Sequence, residues 1–148
     1  MGKKFRILVA LDFTERPDDI VQKSILVASR YNARISLIHV MTDIPRMSFY
    51  SDTYELWEEF RDITAKRVLE EMHQYIKRLS DKFKDIEPIV EVGDPAEKII
   101  ETADKLAVDL IIVGNHSRKG IERLVHRNVS EKVMRMSKRD VLSFYAGG

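Results

Sequence analysis

Short aliphatic runs alternate with helical patterns from one end of this chain to the other. That alternation limits the fold more than any other feature of the sequence. Five runs read as strands: Phe5–Leu11, Ala33–Val40, Ile86–Val92, Asp109–Val113 and Val141–Ala146. The first and fourth are nearly continuous in Val, Ile and Leu, as expected of strands covered on both faces in a parallel sheet. The third alternates more and carries Pro88, which lacks an N–H for a ladder and so suits an edge.

Helical periodicity fills the gaps. The first helix is expected from Pro17 to Tyr31, with Ile20, Ser24, Val27, Ala28 and Tyr31 on one face and Asp18 and Asp19 in the first turn, where the helix dipole favours acid. The second runs from about Thr53 to Phe83, its apolar positions Leu56, Phe60, Ile63, Leu69, Met72, Ile76, Leu79 and Phe83 stepping mostly by three or four. The third opens on Asp94-Pro95-Ala96-Glu97, an acid cap followed by proline and then Glu. The fourth is expected to open on Asn128-Val129-Ser130-Glu131, with Gly120–Arg127 before it as a loop containing a helical turn. Strand–helix alternation of this kind implies a parallel, doubly wound α/β sheet with helices on both faces. The whole chain, 1–148, reads as one domain.

Composition removes several classes of function. The chain has no cysteine, so a disulfide framework, a thiol nucleophile and a thiolate metal site are excluded. No two histidines stand four apart, so no helical metal motif exists. The net charge is only +1, which gives no reason to expect nucleic acid as a partner. No apolar stretch approaches the roughly 18 residues of a membrane helix. Nor does the basic start, Met1-Gly2-Lys3-Lys4, lead into a signal sequence. A cytoplasmic address is the expectation.

In a doubly wound sheet, ligands sit beyond the carboxyl ends of the strands, at the switch point. Three segments are therefore candidates for a site. They are Asp12-Phe13-Thr14 after the first strand, Val40-Met41 after the second, and the run from Gly114 after the fourth. That last run includes His116 and Ser117 and leads to Arg127, Asn128, Val129 and Ser130. Arg118, Lys119, Arg123 and Arg127 stand there against one acid, Glu122, and a helix start at Asn128 would add free N–H groups for an anion.

These segments carry a resemblance. The opening ILVALDFT, the strand ending Ile38-His39-Val40, the turn Val92-Gly93-Asp94-Pro95 and the loop IIVGNHSRKG resemble the universal stress protein family. The likeness implies a five-stranded parallel sheet of order 3-2-1-4-5. It also implies a stress-response binding module for ATP or a related adenine nucleotide, with Mg²⁺ only through the phosphates. Asp12 matches the acid on the adenine side, and Val40 and Met41 match main-chain groups that meet the base. The family's phosphate motif is Gly, two residues, Gly, nine residues, Gly, then Ser or Thr. Those positions here are Gly114, Ser117, Arg127 and Asn128, so only the first glycine is kept. Ser117 adds a Cβ where close backbone approach is wanted. Arg127 has two readings: it obstructs the phosphate path, or it reaches round and pairs with the phosphate. Asn128 caps helices as well as Ser does.

The likeness further implies a homodimer formed through Val141–Ala146. That strand is apolar, and an exposed edge of this kind invites pairing. No nucleophile–base pair stands out, so no catalytic residue is assigned. A dimeric interaction protein with a vestigial pocket, and a weak ATPase, are the alternatives. Histidine at 39 reads as an ordinary strand residue.

Overall fold

The computed structural model of the protein describes residues 2–11, 17–42, 51–116 and 121–146. The elements follow the expected order: β1 (Arg6–Ala10), α1 (Pro17–Tyr31), β2 (Arg34–Met41), α2 (Ser51–Leu79), β3 (Ile86–Val92), α3 (Pro95–Leu106), β4 (Leu110–His116), α4 (Ile121–Met136) and β5 (Asp140–Ala146). The strands form one sheet of order β3-β2-β1-β4-β5, parallel at every pairing. This is the doubly wound sheet of order 3-2-1-4-5. β3, with Pro88, does lie at one edge, and β5 lies at the other.

Each face of the sheet builds its own core. On one face Ile7 and Val9 of β1, Ile35 and Leu37 of β2 and Ile112 of β4 pack against Ile20, Val21, Ile25 and Ala28 of α1 and Met72, Tyr75 and Leu79 of α2. On the other, Leu8, Ile38, Ile111 and Val113 pack against Ala96, Ile99 and Ala103 of α3 and Val133 of α4. Period-two alternation thus sends neighbours in β1 to opposite cores. Both cores are apolar, which is why the runs looked continuous.

α3 starts as its sequence prescribes. Asp94 caps it, its Oδ2 accepting the Glu97 N–H at 3.0 Å, and Pro95 occupies the first turn. It ends on Ala107, a non-glycine residue at φ 50°, whose N–H bonds back to the last turn.

Four expectations are corrected. α4 begins at Ile121, not at Asn128. The run Ile121–Arg127 contains no glycine or proline, so nothing interrupts a helix once Gly120 is passed. Second, β4 continues through Gly114 to His116, held by pairing with β5 as far as Ala146. Third, Tyr31 is not buried: it is exposed and stacks on Phe5, ring centroids 5.1 Å apart. Fourth, only the second half of α2 covers the sheet, and the helix stops at Leu79. Leu56, Phe60 and Ile63 are 66 %, 58 % and 60 % exposed. The reason is length. A helix of 29 residues runs for about 43 Å at its usual rise, whereas seven-residue strands reach about 23 Å. The helix overshoots the layer it covers.

Candidate functional site

The strand order fixes where a site can form. β1 is followed outward by β2 on one side and by β4 on the other, so the chain changes direction between β1 and β4. Their register pairs Val9 with Ile112. Two residues further along each strand stand Leu11 and Gly114, at the same carboxyl-end rim. The residue after Leu11 is Asp12. Geometry therefore joins the exit of β1 to the glycine of β4.

The rim is tied together by backbone bonds. Leu11 N–H donates to Ile38 O at 2.9 Å, holding the β1 exit against β2. Gly93 N–H donates to Met41 O at 2.9 Å, so the turn after β3 closes over the end of β2. Gly93 sits at φ 148°, a conformation that side-chain-bearing residues rarely adopt, and a Cβ there would meet Lys98 Cε at 2.9 Å. A sharp turn and a glycine are thus required together.

Two side chains reach the rim in ways the sequence did not announce. His39 places Nδ1 3.1 Å from Leu11 O. A carbonyl only accepts, so the Nδ1 nitrogen carries the proton in this contact. The only hint of this was a histidine near the end of a central strand, which by itself reads as an ordinary strand position. Ser130 is the second. It is buried, and its hydroxyl donates to Gly114 O at 2.9 Å across 16 residues of sequence. Its hydroxyl is spent on fixing α4 against β4. Ala10, Val40 and Val129 are half-buried and line the same side, packed on the cluster around Leu8, Ile38 and Val133.

Of the candidate residues, Val40, Met41, Gly114, Val129 and Ser130 are thus placed at or beside one rim. Asp12, Thr14 and Ser117 lie outside the described residues. His116 is the last residue of β4, and Arg127 and Asn128 lie within α4. The early start of α4 alters the local electrostatics. The free N–H groups of a helix belong to its first turn. In α4 that turn begins at Ile121, so the N–H groups of Asn128–Glu131 fall inside the helix rather than at its positive end. α4 is held in turn to α3 by Lys132, whose Nζ lies 3.5 Å from the Asp94 carboxylate and 3.8 Å from that of Glu97. No cluster of His, Asp and Glu able to hold a metal is present among the described residues. No helix among them is long and apolar enough to cross a membrane.

A family model, the universal stress protein family, matches residues 5–144. The chain belongs to the universal stress protein family. Universal stress protein A of Salmonella typhimurium is 32 % identical over 113 residues, covering 74 % of each chain. Among solved structures, the universal stress protein UspA from Lactobacillus plantarum superposes with a TM-score of 0.80 at 17 % identity, over 97 % of this chain and 99 % of that one. A universal stress protein in complex with cAMP superposes with a TM-score of 0.64 at 23 % identity, over 97 % and 98 %. One from Archaeoglobus fulgidus in complex with dAMP gives 0.60 at 18 %, over 94 % and 96 %. At these identities the structural likenesses establish the fold.

Proposed function

We propose that this universal stress protein is a stress-responsive cytoplasmic binding module, not a catalyst, and that it takes an adenine nucleotide at the β1–β4 rim. The observation that carries the reading is the juxtaposition of Leu11 and Gly114 at the switch point, with Val40 and Met41 beside them. Two solved members of the same fold hold adenine mononucleotides. In this reading Asp12, Thr14 and the ends of β1 and β2 take the nucleoside. Gly114, His116 and Ser117 border the phosphate. Any Mg²⁺ arrives with the phosphates.

The phosphate end differs from the nucleoside end. The N–H groups of Asn128–Glu131 lie inside α4, and a cation, Arg127, stands at the third position of the motif. In this reading Arg127 clasps the phosphate. Isothermal titration with adenosine, AMP and ATP–Mg²⁺ tests both parts. Arg127→Ala, which avoids the helix penalty of glycine, should weaken AMP by about 1.5–3 kcal/mol, the scale of a charge-assisted hydrogen bond. It should leave adenosine unchanged. Absence of heat with all three ligands removes the nucleotide reading, and tighter AMP binding in Arg127→Ala would mean that the arginine obstructs.

A homodimer through β5 completes the proposal. β5 is an edge strand, half-buried along Val141–Phe144 and exposed at Tyr145. Its outer backbone edge, where Tyr145 O accepts from Lys23 Nζ at 2.9 Å, suits pairing with a second copy.

A further inference from the structure

The first half of α2 carries an apolar stripe that the fold does not use. Leu56, Phe60 and Ile63 step by four and three, which puts them within one narrow arc of the helix, and all are more than half exposed. Trp57 packs on Phe60 with ring centroids 5.9 Å apart, widening the stripe. Arg61 and Asp62, between its ends, pair with each other at 3.6 Å, and the charges that flank the stripe itself are segregated. Glu55 and Glu59 lie toward its start and Lys66 and Arg67 toward its end, all four exposed. None of the four makes an ion pair among the described residues.

That segregation selects a partner. A second copy laid antiparallel, with its two-fold axis between Phe60 and Ile63, sets Phe60 of each copy against Ile63 of the other and the Leu56 end of one stripe beside the far end of its mate's. It also sets Lys66 and Arg67 of each copy beside Glu55 and Glu59 of its mate. A parallel arrangement would oppose like charges. We propose that the exposed face of α2 is a self-association surface, an antiparallel helix pair between two copies of this chain, separate from the β5 edge and independent of nucleotide. Such a stripe is much smaller than a standard interface of about 800 Å² per partner, so the contact is weak and dynamic.

The chain has no cysteine, so Phe60→Cys creates its only thiol, beside the proposed axis. Mild oxidation, or a short bis-maleimide, should join Phe60→Cys into a covalent dimer. Asp62→Cys, on the opposite side of the helix, should not cross-link. Sedimentation at roughly 100 µM, suited to a contact of this size, should show a concentration-dependent mass for the wild type. Phe60→Glu should weaken that association at least about tenfold, as loss of a central aromatic anchor does. Glu55→Lys/Glu59→Lys and Lys66→Glu/Arg67→Glu should each fail to self-pair through α2 but associate on mixing. All these positions are exposed, so the fold survives the changes. Equal association of Phe60→Glu and wild type, or cross-linking of Phe60→Cys no faster than that of Asp62→Cys, overturns the proposal. So does a wild-type mass that stays constant with concentration.

Discussion

Single side chains lock the elements of this protein together at a few long-range points, and their chemistry gives them measurable weight. Tyr75 of α2 donates its hydroxyl to Asp18 Oδ1 at 2.7 Å, joining α2 to the first turn of α1. Burial raises the pKa of this phenol well above the ordinary tyrosine range. The hydrogen bond to Asp18 and the Asp18 charge add to the rise, and Arg78 opposes it. The folded chain therefore keeps a proton that the unfolded chain sheds above about pH 10. The contribution of Tyr75 is whole below that pH and is lost as the solution becomes more alkaline. Urea melts between pH 8 and 11 should show wild type losing stability above pH 10 more steeply than Tyr75→Phe. Parallel curves would mean that the phenol does not couple to folding. Ser130 offers a second case. Ser130→Ala removes the bond to Gly114 O from a buried setting and should cost about 1 kcal/mol in a urea midpoint at unchanged slope. Neither contact was legible beforehand. Each joins residues far apart in the chain, and hydroxyls at helical positions look the same in sequence whether they face solvent or another strand.

At the level of elements, local signals were read correctly wherever the chemistry is local. The start of α3 is the clearest case, since Asp94, Pro95 and Glu97 specify it within four positions and the Asp94 carboxylate makes the expected bond. Asp94→Ala should destabilise the protein by about 1 kcal/mol, the usual loss of a cap. It should also release Lys132 from one of its two carboxylates. Thermal melts of Asp94→Ala and Asp94→Asn check this, with Asn expected to restore most of the cap. The same kind of signal misled at Asn128-Val129-Ser130-Glu131. That tetrapeptide has the form of a cap, but the seven residues before it are good helix material, and propagation is easier than a second nucleation. In α2 the periodicity identified an apolar side correctly. Periodicity says nothing of how far the covering sheet extends, so the exposure of Leu56, Phe60 and Ile63 was not readable. β4 ran past its expected end because β5, not its own residues, sustains the pairing.

For the whole molecule, the parallel α/β class was legible because few topologies remain once strands and helices alternate, and the order β3-β2-β1-β4-β5 is the one the family likeness implied. The rim proposed as a site was legible as a place more than as a set of contacts. Val40, Met41 and Gly114 could be assigned because strand ends in such a sheet must meet there, while His39 entered through a ring bond that no pattern encodes. The central position of β1 has a further consequence for synthesis. The strand made first has one flank closed by β2 but the other open until β4 emerges, since Val9 waits for Ile112. At about 5–20 residues per second, that interval is on the order of 5–20 s on the ribosome. Throughout it, a nascent chain presents the most aliphatic edge it will ever have, and crowding by sister chains or delay in translation would act on that edge before any other part of the protein.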